Sequence, residues 1–318
     1  MMKILISDKT APKCAEILRA AGHEVDEEFG ISRDELQSII PNYHGLIVRS
    51  ATKVTKEIIG IAKNLKVVGR AGSGVDNIDC VAAEEKNIVV MNTPGGNTNA
   101  VAELTVGYMF ALSRDLYNTS KSLKEERWDK KKFMGVEVLN KTLGILGYGK
   151  IGRSVALKSK CLGMEVLCFD PYVGRDIIDQ FSIRLVADIA QVLSVADYIS
   201  VHVPKKPETL NMISKEQFQL MKKRVFLINC ARGGIVDEKA LLWALDEGIV
   251  AGAALDVFEV EPPENFSLVK HPKVLCTPHL GAATHESQEN VAVKIAEQIA
   301  DMFAGKGIRN AVSIKTQD

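Results

Sequence analysis

Residues 141–152 read Lys-Thr-Leu-Gly-Ile-Leu-Gly-Tyr-Gly-Lys-Ile-Gly, and the fold is decided there. An apolar run of strand length, 143–146, feeds directly into Gly147, Tyr148, Gly149, Lys150, Ile151 and Gly152, which open a helix. In such a loop the first glycine makes the tight turn, the second lets a diphosphate reach the backbone, and the third permits close helix–strand packing. The helix start adds unpaired N–H groups and a favourable dipole for the anion. A second strand, EVLCFD, ends in Asp170, eighteen residues past the third glycine. An acid at that distance accepts hydrogen bonds from ribose hydroxyls and repels a 2′-phosphate, so the spacing predicts NAD rather than NADP. Arg175, five residues on, is a cation that argues the other way.

Downstream, each further strand ends in polar residues. ADYISVHVP carries His202, Val203 and Pro204, with Thr209 in the loop beyond. RVFLINCAR carries Cys230, Ala231 and Arg232, AGAALDVF carries Asp256, and KVLCTPH ends in His279 with Gly281 and Ala282 following. A doubly wound sheet presents groups to a bound ligand at these strand ends, and all of these residues are read as cofactor-binding.

Upstream, strand-like runs (KILISD, HEVDEE, GLIVRS, LKVVGRAG, IVVMNTP) alternate with amphipathic segments, one of them opened by the capping-box pair Ser32 and Glu35. Five strands joined by helices predict right-handed crossovers and a parallel open sheet. Arg49 and Arg70 close two of these strands, and Ala71-Gly72-Ser73-Gly74 follows the second. Glycines there let backbone N–H groups approach an anion, so this end of the sheet is a candidate phosphate or carboxylate pocket. Residues 98–117 read as one long apolar helix that needs cover from a second domain or another subunit. The fold class is therefore α/β, with two doubly wound parallel-sheet domains.

The composition fits an ordinary globular chain: 318 residues, 46% hydrophobic and 25% charged, with 40 basic and 40 acidic residues. With no net charge, nothing draws the whole chain to nucleic acid or an anionic membrane, so any anion site is local. Six cysteines without a CxxC pair indicate neither a zinc site nor a disulfide scaffold, and no metal is expected. The amino terminus lacks the pattern of a signal peptide and no apolar run spans a bilayer, so the expected location is the cytoplasm.

A nicotinamide cofactor moves hydride, so the protein must move the accompanying proton. His279, fixed in Thr277-Pro278-His279-Leu280-Gly281-Ala282, is the candidate acid/base, because imidazole titrates near neutrality. Glu261, in a loop stiffened by Pro262 and Pro263, is its candidate partner, since a carboxylate raises the imidazole pKa and fixes its tautomer. Arg232, in Asn229-Cys230-Ala231-Arg232-Gly233-Gly234, can grip a carboxylate and polarise a carbonyl.

GYGKIG, Asp170, NCARGGIVDEKAL, GAALDVFEVEPP and TPHLGA, in this order along almost the whole chain, resemble the NAD-dependent D-isomer-specific 2-hydroxyacid dehydrogenases. The resemblance implies a flavodoxin-like substrate domain, 1–97 with 284–318, and a Rossmann NAD domain, 98–283, with the cleft between them. It assigns Arg232 to the substrate carboxylate, His279 to proton transfer, Glu261 to its partner and Asp256 to the nicotinamide amide. Residues 45–55, 67–79, 92–105 and 131–138 most resemble members acting on 3-phospho-D-glycerate. On that footing Arg49, Arg70, Ser73, Gly74 and Asn97 are substrate-binding, beside Arg232 and His279. A homodimer through the NAD domain is also implied, with the run Lys130-Lys131-Lys132 lent to the neighbouring subunit. Many members with that substrate carry a further regulatory domain, and a chain stopping soon after RNAVSI resembles the short form. The alternatives are a reductase of glyoxylate, hydroxypyruvate or another small 2-oxo acid, and an NAD-sensing corepressor-like binding protein.

Overall fold

In the computed structural model, which describes residues 1–172 and 181–312, the chain forms two compact units. One is Met1–Asn97 with the return from Ala282 onward, and the other is Thr98–Gly281. The sequence reading places the second crossing later, at 283/284, because the helix signal marks the helix itself: His285–Phe303, with Thr284 as its N-cap. Gly281 still belongs to the second unit, where its N–H is bound by Asp256.

The first unit is a five-stranded parallel sheet of β1 (Lys3–Ile6), β2 (Glu24–Glu27), β3 (Gly45–Val48), β4 (Val67–Arg70) and β5 (Val89–Met91), in the order β2-β1-β3-β4-β5. Its apolar β-branched residues are buried on both faces, as parallel strands require. Leu36, Ile40, Ile58 and Ile59 cover one face. Cys14, Leu18 and the carboxyl-terminal helix, through Val291, Ile295 and Ile299, cover the other. Gly69 makes that second contact possible: a Cβ there would lie 2.6 Å from Ile299 and 2.8 Å from Ile295. The Ser32–Glu35 capping box forms as the sequence predicts, with both reciprocal hydrogen bonds present.

The second unit is a seven-stranded parallel sheet of β6 (Thr142–Leu146), β7 (Glu165–Phe169), β8 (Arg184–Val186), β9 (Tyr198–Val201), β10 (Val225–Asn229), β11 (Val250–Leu255) and β12 (Val274–Cys276). The order β12-β11-β10-β9-β6-β7-β8 reverses its winding between β6 and β9, the place where such sheets bind ligands. The apolar helix predicted over 98–117 stops at Ser113, because Asp115 takes a left-handed conformation (φ 45°) and a new helix starts at Leu116. Its cover comes from its own unit: Val101, Ala102, Tyr108 and Met109 pack with Ile145, Val155 and Ala156.

Candidate active site

The glycine loop has the shape of a diphosphate cradle. Gly147 is left-handed (φ 97°), and a Cβ there would lie 2.7 Å from the backbone of His202. At Gly152 a Cβ would lie 2.1 Å from the Gly147 carbonyl, so the helix sits hard against the turn. Around Gly149, by contrast, nothing lies within 4 Å of the added Cβ, which leaves open space at the start of the helix Lys150–Cys161. Asp170 accepts the N–H of Tyr148 (2.7 Å) and of Tyr172 (2.9 Å), which fixes its carboxylate beside the loop with lone pairs to spare. Tyr148 contributes only backbone here, because its side chain is fully buried. This geometry fits a dinucleotide whose ribose diol meets Asp170; Arg175 lies outside the described residues.

His202 follows β9 across from Gly147. Its Nε2 pairs with Ser200 Oγ at 2.7 Å, and burial pushes the ring pKa down to about 4, so it is neutral at ordinary pH. Thr209 closes the loop behind it by donating to the Pro204 carbonyl (2.7 Å) and accepting the Lys206 N–H (2.8 Å), leaving Val203 and Pro204 on a fixed strand end. After β10, Asn229 organises the next loop: its side chain accepts the Ala231 N–H (3.0 Å) and donates to the Arg232 carbonyl (3.0 Å). Cys230 is buried there, its thiol pushed up to about 12 by desolvation. A Cβ on Gly233 would lie 1.7 Å from the Phe258 carbonyl, so only glycine lets the Arg232 loop lie against the strand-end loop that carries Glu261.

His279 and Glu261 meet: Nδ1 lies 2.7 Å from Oε2. A carboxylate only accepts, so Nδ1 carries the proton and Nε2 is left with a lone pair. The Glu261 hydrogen bond raises the His279 pKa above the ordinary imidazole value, against an opposing effect of burial. Burial alone would raise Glu261, but the bond from His279 and the N–H of Phe258 hold it below the usual carboxylate value. Arg232 is close enough to oppose protonation of His279 electrostatically and to favour ionised Glu261. The dyad adjoins a cavity of about 400 Å³ lined mainly by Phe258, Pro262, Pro263, Phe266 and Val269.

Asp256 has a part that its strand-end position does not announce. Only 1% exposed, it accepts the N–H of Leu280 (2.6 Å) and of Gly281 (2.7 Å), and the hydroxyl of Thr277, which in turn pairs with Tyr108. These bonds close the turn around His279, which sits at φ 55°, a left-handed conformation costing about 1–2 kcal/mol for a residue with a side chain. Successive N–H groups converging on an anion after a left-handed residue form a nest, filled here by Asp256. Thr277, Tyr108 and Asn229 were not picked out from sequence; Asn229, polar at the end of an apolar strand, offered a signal, whereas Tyr108 in an apolar helix offered none. Ala282 begins the return to the first unit, its carbonyl bound by Gln288.

In the first unit, Val48 pairs with Arg70 in register, so Arg49 and Arg70 close adjoining strands. Arg49 donates through Nη1 to the Lys9 carbonyl (3.2 Å); its Nε is buried without a hydrogen bond, and it forms no ion pair among the described residues. Burial lowers its pKa, with Asp8 opposing. Asp8 fixes the Arg49 loop by accepting the N–H groups of Arg49 and Thr52. Ser73 donates to Asn97 Oδ1 at 2.8 Å, tying together two of the sequence-predicted residues, with Gly74 next along the loop. Lys130–Lys132 form a short 3-10 turn in the other unit, where Lys132 is paired with Asp129 (3.0 Å).

Residues 106–281 match the family model described as D-isomer specific 2-hydroxyacid dehydrogenase, NAD binding domain. A D-3-phosphoglycerate dehydrogenase from Sus scrofa is 46% identical over 313 residues, which is 98% of this chain and 58% of that protein. The chain thus spans rather less than two thirds of the length of the curated relatives it matches. Among solved structures, the TT0316 protein from Thermus thermophilus has a TM-score of 0.90 and 31% identity, with 98% of this chain and all of that one covered. The NAD+-bound 3-phosphoglycerate dehydrogenase of Entamoeba histolytica has a TM-score of 0.84 and 30% identity, with 98% of each chain covered.

Proposed function

Since this chain belongs to the D-isomer specific 2-hydroxyacid dehydrogenase family and carries its NAD-binding domain, we propose that it oxidises 3-phospho-D-glycerate to 3-phosphohydroxypyruvate, the first step towards serine. The single observation carrying this reading is the His279–Glu261 pair at 2.7 Å in a chain 46% identical to D-3-phosphoglycerate dehydrogenases over nearly its whole length. Bound NAD would accept hydride from C2 of the substrate. Neutral His279 takes the C2 hydroxyl proton at Nε2, and Glu261 stabilises the imidazolium that results. Arg232 holds the carboxylate and polarises the forming carbonyl. Asp170 and the Gly147–Gly152 loop seat the dinucleotide, with His202, Val203, Pro204, Thr209, Cys230 and Ala231 lining strand ends beside it.

The first unit has candidate anion-binding groups of its own. Ser73 and Gly74 offer backbone N–H groups to the carboxylate, with Asn97 holding Ser73, and Arg49 and Arg70 are the candidates for the distal phosphate. The buried Nε of Arg49, without a hydrogen-bond partner among the described residues, supports that assignment. We further propose a cytoplasmic homodimer formed through the NAD-binding domain. Leu116, Tyr117, Leu123, Met134 and Trp128, the last 81% exposed, leave a large apolar surface there that a monomer would have to hold in water. No helix of the described residues is long and apolar enough to cross a membrane.

Steady-state turnover with NAD across a substrate panel tests the reading. Preference for 3-phospho-D-glycerate is the expected result. Preference for glyoxylate or hydroxypyruvate makes the chain a reductase of small 2-oxo acids, and negligible turnover with every substrate leaves the NAD-sensing binding protein. Light scattering separates dimer from monomer.

A further inference from the structure

We propose that Asn92, Gln298 and Asn310 form a hydrogen-bonded strut that holds the Ser73–Gly74 loop in its anion-accepting shape, which makes them positioning residues for the substrate. All belong to the first unit. The proposal rests on the reading of that loop as the carboxylate site.

The loop's orientation comes from the segment after β5. The Gly72 carbonyl accepts the Thr93 N–H at 2.9 Å, and the Ser73 carbonyl accepts Asn92 Nδ2 at 2.6 Å. In a trans peptide the carbonyl and the following N–H point in opposite directions. Drawing these two carbonyls towards residues 92 and 93 therefore turns the N–H groups of Ser73 and Gly74 the other way. Neither N–H has an acceptor among the described residues, which leaves both for an anion.

Asn92 is held in turn from two sides, by two residues that are bonded to each other. Its N–H donates to the Asn310 carbonyl (3.3 Å), its carbonyl accepts Gln298 Nε2 (3.3 Å), and Gln298 Oε1 accepts Asn310 Nδ2 (2.8 Å). Gln298 is 4% exposed, a buried amide inside the carboxyl-terminal helix whose cost is met by these bonds and one to the Lys294 carbonyl. Asn310 sits at φ 54°, a conformation asparagine tolerates better than most residues. Immediately after it, Ala311 bridges antiparallel to Met91, and the Val312 N–H donates to Val90. The segment after the last helix thus extends the β5 edge, and Asn310 carries its position through Gln298 and Asn92 to Ser73.

Asn92→Asp replaces the donor facing the Ser73 carbonyl with a carboxylate oxygen at nearly constant volume. Asn310→Gly removes only the bond to Gln298 and keeps the left-handed backbone, so it tests the strut if the first variant fails to fold. Two readouts on the full chain separate this proposal from the functional reading. The first is amide exchange at Thr93, whose N–H is closed on Gly72. It should rise about tenfold in Asn92→Asp and about threefold in Asn310→Gly, the scale of one net hydrogen bond. The second is kinetic: KM for the 2-hydroxyacid should rise by similar factors, with kcat and the KM for NAD within about twofold. Unchanged Thr93 exchange in both variants would overturn the strut. Raised exchange with an unchanged hydroxyacid KM would overturn its role in positioning substrate. Raised exchange in a chain whose wild type oxidises no hydroxyacid would support the strut and count against the proposed function.

Discussion

Replacing Asp256 with Asn changes one atom and should cost both stability and turnover. The carboxylate is almost wholly buried and accepts three donors: Thr277 Oγ1 and the Leu280 N–H on one oxygen, the Gly281 N–H on the other. An amide can keep its oxygen towards the first two donors only by turning its NH2 group against the Gly281 N–H. One buried donor is then unpaired, at about 1–3 kcal/mol, and the two remaining bonds fall from charged to neutral strength, each losing about 1 kcal/mol. Leu280 is partly exposed, so some loss is recovered through water. Relief of the left-handed strain at His279 returns about 1–2 kcal/mol more. A net destabilisation of about 2–3 kcal/mol remains, which in a unit of this size lowers Tm by roughly 4–12 °C. The same relaxation carries His279 out of place, and a displacement on the order of 1 Å can cost about 10²-fold in rate. Calorimetry and steady-state kinetics on one preparation check both effects. An Asp256→Asn variant with wild-type Tm and wild-type kcat would refute the idea that this carboxylate holds the His279 turn.

Three further outcomes are expected. In the oxidation direction His279 must be neutral, and because Glu261 raises its pKa, the acid limb of the pH–rate profile should lie above the ordinary imidazole value. Glu261→Gln removes the counter-charge, so the imidazolium gives up its proton at lower pH and the limb moves in that direction; an unmoved limb would separate Glu261 from the acid/base. Asp170→Ala should narrow the preference for NAD over NADP, measured as the ratio of kcat/KM values, and a wild type already indifferent between the two would contradict the role given to Asp170. Tyr148→Phe removes a hydroxyl that is buried and makes no hydrogen bond among the described residues. Stability should hold or rise by up to about 1 kcal/mol, and a clear fall in the unfolding midpoint would reveal a partner for that hydroxyl.

The sequence was most legible where a local rule coincides with the global fold. Gly147, Gly149 and Gly152 each answer a separate steric demand of a strand–turn–helix unit, and those demands are visible from spacing alone. The β/α rhythm of residues 3–94 likewise implies a parallel sheet, and the Ser32–Glu35 cap forms as written. Pairing of His279 with Glu261 was inferred from chemistry, since no periodicity relates two residues on the loops after β11 and β12. Less was visible where one side chain serves distant backbone. Asp256 reads as a strand-end acid, yet both its oxygens are engaged by a turn more than twenty residues on. Asn92, Gln298 and Asn310 are ordinary polar residues until the last helix and the segment after it fold back on β5. The break at Asp115 was missed because apolar content carries through Leu116 and Tyr117, while a left-handed aspartate leaves little trace in the pattern.

The central claim is that this chain recognises a phosphorylated 2-hydroxyacid, and Arg49 offers the most direct test. Reduction of 3-phosphohydroxypyruvate and of hydroxypyruvate, a matched pair differing only in the phosphate, should be measured for the wild type and for Arg49→Ala. Loss of one charged hydrogen bond, about 1.5–3 kcal/mol, predicts a KM for the phosphorylated substrate raised by roughly one to two orders of magnitude, with hydroxypyruvate changed far less. An equal loss on both substrates would mean that Arg49 serves the shared carboxylate or the fold, and would contradict the phosphate assignment.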